Sequence, residues 1–163
     1  MSKTALYSGS FNPIHIGHLD IILRAAIQFD NVIVVVANNS GKRYSVSAEE
    51  RANMVRLAIT NNFNFPNNVE VIVLPDNQSI VDFAIREEVD VIIRGIRNST
   101  DLDYENTMAY VNREEGIETF YLPSNPKYIC ISSSMVRECV KHKLSITQYV
   151  PLSLITLIKE YYG

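Results

Sequence analysis

Five short apolar runs rich in Val and Ile punctuate the chain: Lys3–Tyr7, Val32–Ala37, Val69–Leu74, Val89–Ile93 and Glu118–Leu122. Two of them, V-I-V-V-V-A and V-D-V-I-I, are nearly continuous rather than alternating, as expected of parallel strands covered on both faces. Between the runs the period lengthens. His18–Phe29 places Leu19, Ile22, Leu23, Ala26 and Ile27 at helical spacing, and Ser47-Ala-Glu-Glu50 reads as a capping box opening a helix to about Thr60. Helices are also predicted over Ser79–Glu88, Asp101–Glu115 and Ser133–Lys143, and Pro151 starts a last amphipathic helix to Tyr162. Alternation of this kind predicts an α/β fold, a doubly wound five-stranded parallel sheet flanked by helices in a Rossmann-like arrangement, as one domain over residues 1–163. Ligands of such sheets sit beyond the carboxyl ends of the strands.

Composition narrows the classes. A net charge of −3 argues against a dedicated nucleic-acid or anionic-membrane binder, but leaves open a nucleotide site built on a local basic cluster. No stretch approaches the roughly 18 uninterrupted apolar residues of a membrane span, and the opening M-S-K-T-A-L-Y lacks a signal-peptide layout. Cys130 and Cys139 form neither a C-x-x-C pair nor a disulfide framework, so the cytoplasm is the expected compartment.

Candidate chemistry lies where strands hand over to helices. The run Y-S-G-S-F-N-P-I-H-I-G-H, Tyr7 to His18, joins the first strand to the first helix. Unpaired N–H groups and the positive dipole end favour an anion at such a place. His18 is the expected donor to a phosphoryl oxygen, and Ser10 and Phe11 lie near enough to offer a hydroxyl and a backbone N–H. His15, three residues earlier, reads either as a second donor or as a hydrogen bonder bracing its own loop. The second cluster, V-I-I-R-G-I-R-N-S-T-D-L-D-Y-E, sets Arg94 and Arg97 at a strand end around Gly95 and is predicted to clamp phosphate in the same crevice. The third, I-S-S-S-M-V-R, brings Ile131, three serines and Arg137 to another helix start. Lys42 lies on a polar loop after the second strand, where position alone does not select it over Arg43.

The G-x-F-x-P…H-x-G-H run resembles the nucleotidyltransferase superfamily that includes class I aminoacyl-tRNA synthetases. With I-R-G-I-R-x-x-x-D-x-x-Y-E and I-S-S-S, nearly the whole chain resembles the bacterial phosphopantetheine adenylyltransferase family. That resemblance implies transfer of the adenylyl group of ATP to 4′-phosphopantetheine, giving dephospho-coenzyme A and pyrophosphate in the penultimate step of coenzyme A synthesis. It implies His18 as the catalytic group and Ser10, Phe11, His18, Gly95, Ile96, Arg97, Glu105, Tyr128, Ile129, Cys130, Ile131, Ser132, Ser133 and Ser134 at ATP. Ser10, Lys42, Ile80, Arg94 and Asn112 would meet phosphopantetheine. Mg²⁺ is expected on the ATP phosphates, with no carboxylate pair evident to bind it independently, and a homohexamer and feedback by coenzyme A are implied. The family more often reads Y-P-G-T-F-D-P-x-T-x-G-H, so Ser8, Ser10, Asn12 and His15 depart from it, and F-N-P-I-H-x-G-H is closer to nicotinate-mononucleotide adenylyltransferases. Adenylyl transfer to nicotinate mononucleotide, a synthetase fragment and a nucleotide-sensing module without turnover are the competing readings.

Overall fold

The structure, a computed structural model, describes residues 2–39, 41, 43–62 and 64–163; Lys42 lies outside them. Five strands, β1 (Thr4–Gly9), β2 (Asn31–Val36), β3 (Val69–Val73), β4 (Val91–Ile96) and β5 (Glu118–Pro123), form one sheet in the order β3-β2-β1-β4-β5. Every neighbouring pair is parallel. Six helices connect and flank them: α1 (Ile16–Gln28), α2 (Ala48–Thr60), α3 (Ile80–Arg86), α4 (Ser99–Glu114), α5 (Ser133–Lys141) and α6 (Ile155–Tyr162). The predicted doubly wound fold is the one observed.

The apolar runs located the strands, and the differences have local causes. The fourth run starts late and runs long, because β5 supplies ladder partners for Arg94, Gly95 and Ile96. α1 begins at Ile16 rather than His18, since His15 serves as its cap. The last predicted helix divides, with a 3₁₀ turn at Leu152–Leu154 ahead of α6. Ser47 caps α2 as the capping box predicts, its hydroxyl accepting from Glu50 N–H while the Glu50 carboxylate accepts from Ser47 N–H.

The two-residue period of the central strands sorts their side chains into two layers. Ala5, Tyr7, Val91 and Ile93 join a core with Ile21 and Ile22 of α1, Met54 of α2, Val136 of α5 and Ile158 of α6. Leu6 and Ile92 point the other way, into a smaller core with Phe83 and Ala84 of α3. β1 lies between β2 and β4, and the winding reverses there, which opens a crevice at the carboxyl ends of β1 and β4.

Candidate active site

The β1–α1 loop is braced by two imidazoles. His15 N–H donates to His18 Nδ1 at 3.2 Å, and His18 N–H donates to His15 Nδ1 at 3.4 Å, a capping box made of histidines. The rings stack with centroids 3.6 Å apart, and the Phe11 ring meets His18 edge-on at 5.0 Å. Gly17 makes the stack possible, because a Cβ there would stand 3.1 Å from two atoms of the His15 ring. With both Nδ1 atoms accepting, the proton of each neutral ring resides on Nε2, so each presents an N–H donor. The loop-bracing reading of His15 is the one this geometry shows, through its Nδ1, while its ring lines the cleft.

That cleft has a volume of about 490 Å³ and lies over the carboxyl ends of β1 and β4. Ser10, His15 and His18 line it from the first cluster, Gly95, Arg97 and Glu105 from the second, and Tyr128, Ile131, Ser132, Ser133, Ser134 and Arg137 from the third. Gly95 forms its floor, where a Cβ would come within 3.2 Å of Ile21. Three segments distant in sequence thus converge on one space. Four residues expected at ATP do not line it. The Phe11 side chain is buried behind His18, Ile96 follows Gly95 onto the other face of β4, and Ile129 and Cys130 are exposed on the turn before Ile131.

A second cavity, of about 150 Å³, lies on the opposite layer between the sheet, α4 and the start of α3. It is lined by Ser8, Ile80, Arg94, Asn112 and Thr119, with Glu105 shared between both cavities. The expectation that Arg94 and Arg97 face one crevice together is overturned: three residues apart across the end of β4, Arg94 lines the smaller cavity and Arg97, just past the strand, the larger. Arg94 makes a bidentate pair with Glu105, at 2.6 and 2.7 Å, and donates to the Ser8 hydroxyl at 2.8 Å. Burial works against its charge, but the Glu105 carboxylate outweighs that and raises the Arg94 pKa. Arg97 pairs with Asp101 at 2.9 Å on the rim of the larger cleft. Ser10, expected at phosphopantetheine as well as at ATP, lines only the larger cleft.

The sequence reading missed residues that brace or line the site. Arg51 is wholly buried, donates to the Ser10 carbonyl, Asn38 Oδ1 and, at 3.2 Å, the Val46 carbonyl, and lies 4.3 Å from the Tyr44 ring centroid. It ties the end of β1 to the loop after β2. Helical spacing on α2 put it among apolar positions, and that was the available signal. Tyr7 and Arg43 also line the larger cleft, and burial pushes the Tyr7 hydroxyl up to about 12, so it stays protonated.

Burial, followed by the Arg97 charge, lowers the His15 pKa to about 3; burial, then His15 and Arg97, holds His18 well below the imidazole range. Protonation of either Nδ1 would also break its cap. The unfolded chain therefore binds protons that the folded chain refuses between about pH 6.5 and about pH 3, so stability is complete above this window and falls as pH drops through it. At His15 alone the slope reaches about 1.4 kcal/mol per pH unit. Urea midpoints should accordingly decline between pH 6.5 and 5.5, and a midpoint flat over that interval would contradict neutral, capping imidazoles.

A family described as cytidylyltransferase-like matches residues 6–139. The phosphopantetheine adenylyltransferase of Clostridium perfringens is 39% identical over 160 residues, covering 97% of this chain and 94% of that protein. The phosphopantetheine adenylyltransferase of Mannheimia succiniciproducens is 39% identical over 162 residues, 98% of each. Among solved structures, the nicotinic acid mononucleotide adenylyltransferase of Plasmodium falciparum complexed with NaAD aligns with a TM-score of 0.72 and 16% identity, covering 99% of this chain and 94% of that one. At that identity the likeness speaks for the fold alone.

Proposed function

This chain belongs to the phosphopantetheine adenylyltransferases of the cytidylyltransferase-like family, and from that membership we propose how its residues carry adenylyl transfer from ATP to 4′-phosphopantetheine. The observation that carries the reading is the pair of cavities sharing Glu105. The larger, lined by the imidazoles and serine hydroxyls at the starts of α1 and α5 and by the guanidiniums of Arg43, Arg97 and Arg137, suits a nucleoside triphosphate. The smaller, with Ile80 and Met108 beside Arg94 and Asn112, suits a slender acceptor that is apolar along its arm and anionic at one end.

In this arrangement a terminal phosphate oxygen of phosphopantetheine attacks the α-phosphorus of ATP in line. The bond to the β-phosphate bridging oxygen breaks, and pyrophosphate leaves from dephospho-coenzyme A. The attacking oxygen is already anionic, so no general base is needed; positioning and charge stabilisation supply the rate. His18 Nε2–H faces the charge that develops at the α-phosphate, and Arg94 offsets the repulsion between the two anions. Lys42, outside the described residues, is assigned to the acceptor phosphate by family resemblance. Among the described residues no group of three His, Cys, Asp or Glu side chains could hold a metal, and Asp101 and Glu105 are each paired with arginine. Mg²⁺ would ride on the phosphate oxygens of ATP and would supply charge neutralisation there.

No helix among the described residues is long and apolar enough to cross a membrane, which is compatible with the proposed cytoplasmic location. Tyr104, Met108 and Val111 at helical spacing, with Tyr110 and Phe120, leave α4 and β5 exposed and apolar, whereas Leu154 and Ile158 near the C-terminus are buried within the chain. Assembly into a homohexamer would cover the α4 face. Light scattering should then give six times the 18.5 kDa chain mass, and a monomer at micromolar concentration would overturn the assignment. Coenzyme A carries the same pantetheine arm and is the proposed feedback inhibitor.

The test is pyrophosphate release from ATP and Mg²⁺ with 4′-phosphopantetheine in one tube and nicotinate mononucleotide in another. Release with phosphopantetheine alone is the expected result. Release with the mononucleotide alone would reassign the acceptor.

A further inference from the structure

Behind the larger cleft lies a positive charge with no negative partner. Arg51, wholly buried on α2, donates to the Ser10 and Val46 carbonyls and to Asn38 Oδ1, and its guanidinium lies over the Tyr44 ring. Every one of these partners is neutral. No ion pair among the described residues includes Arg51. The acids beside it on α2 are engaged elsewhere, Glu49 with Arg56 and Glu50 with the Ser47 cap. The titratable groups that face it, on Tyr44 and Tyr162, are phenols and carry no negative charge near neutral pH. A buried charge left unpaired in this way is costly. Bracing Ser10 and the loop after β2 calls for the fork of donors, but not for a charge without a counter-ion. An aspartate in place of Asn38 could accept the same bond and pair it.

The unpaired charge lies one peptide group from the cleft, because Ser10 lines that space and the guanidinium holds the Ser10 carbonyl. The acids lining the cleft, Asp101 and Glu105, are themselves paired with Arg97 and Arg94. An anion entering there would supply the counter-charge that the fold withholds. The protein between them is of low dielectric and closed to salt, so it transmits an attraction that water would screen. We propose that Arg51 is an electrostatic residue of the nucleotide site, whose buried charge strengthens binding of the ATP phosphates from behind Ser10 without touching them. The identity of the anion rests on the adenylyl-transfer reading; the lack of a carboxylate at Arg51 does not.

Equilibrium binding of ATP and of adenosine to the full chain, without acceptor, tests the charge apart from the brace. Neither Arg51→Met nor Arg51→Lys reproduces the forked bonds, so both should lower the melting temperature. Only Arg51→Met removes the charge. It should weaken ATP binding on the order of 10-fold, whereas Arg51→Lys should stay within about threefold of wild type, with adenosine binding unchanged in both. Asn38→Asp keeps the bond and pairs the charge; it should weaken ATP but not adenosine, with a melting temperature no lower than wild type. That variant decides the matter if neither Arg51 variant folds. Equal losses of ATP affinity in Arg51→Met and Arg51→Lys would leave Arg51 a brace and overturn the proposal. So would wild-type ATP affinity in Asn38→Asp, or a loss that falls on adenosine as heavily as on ATP. Wild-type protein that binds ATP yet releases no pyrophosphate with phosphopantetheine would overturn the acceptor assignment instead, and wild-type protein that binds no ATP would overturn both.

Discussion

Replacing His18 with alanine should lower turnover by on the order of 10²–10³ while leaving the fold intact. The ring is fixed before substrate arrives. Its Nδ1 is engaged by the His15 N–H, its face by the His15 ring and its edge by Phe11. Reorganisation that a mobile side chain would need during the reaction has therefore been completed during folding, and the whole effect of the donor is felt in the transition state. Losing the cap bond costs about 1 kcal/mol of helix stability, too little to unfold the chain. The signature is thus a collapse of kcat with modest change in KM for ATP, read from pyrophosphate release. A variant within threefold of wild type would remove His18 from the chemistry.

Arg94→Ala is expected to have the second-largest effect, through a different parameter. Its guanidinium is partnered on both sides, by Glu105 and by Ser8, at the wall of the smaller cavity. Truncation leaves the Glu105 carboxylate unpaired. Because both side chains retain some exposure, the stability loss should lie near 2–3 kcal/mol, below the range for fully buried pairs. The charge proposed to face the acceptor phosphate disappears as well, so kcat/KM for phosphopantetheine should fall on the order of 10²–10³ with KM for ATP nearly unchanged. Arg94→Lys should rescue little, since an ammonium cannot reproduce the bidentate contact while also reaching Ser8. Equal losses for ATP and acceptor would show that the two cavities are not divided between the substrates as proposed.

The strands, the capping box at Ser47 and the convergence of the three clusters were legible in the chain because each is written in contiguous residues. An apolar run, a cap spacing or a strand-to-helix turn is decided by a few neighbours, and the crevice follows from parallel topology. Even the histidine cap is local, with its two members three residues apart, although only geometry showed that both rings are locked by one another.

What the sequence alone determined is thus the sheet, its winding and the end at which the three clusters meet. The tertiary structure decided which face each residue serves. The end of β4 parted Arg94 from Arg97, and the turn before Ile131 carried Ile129 and Cys130 outward while keeping Tyr128 in the cleft. It also decided the long-range bonds, Arg51 to Ser10 across 41 residues and Tyr162 to Asn12 across 150. No local pattern encodes such partners, because a buried donor is satisfied by whatever acceptor the packed chain brings within reach.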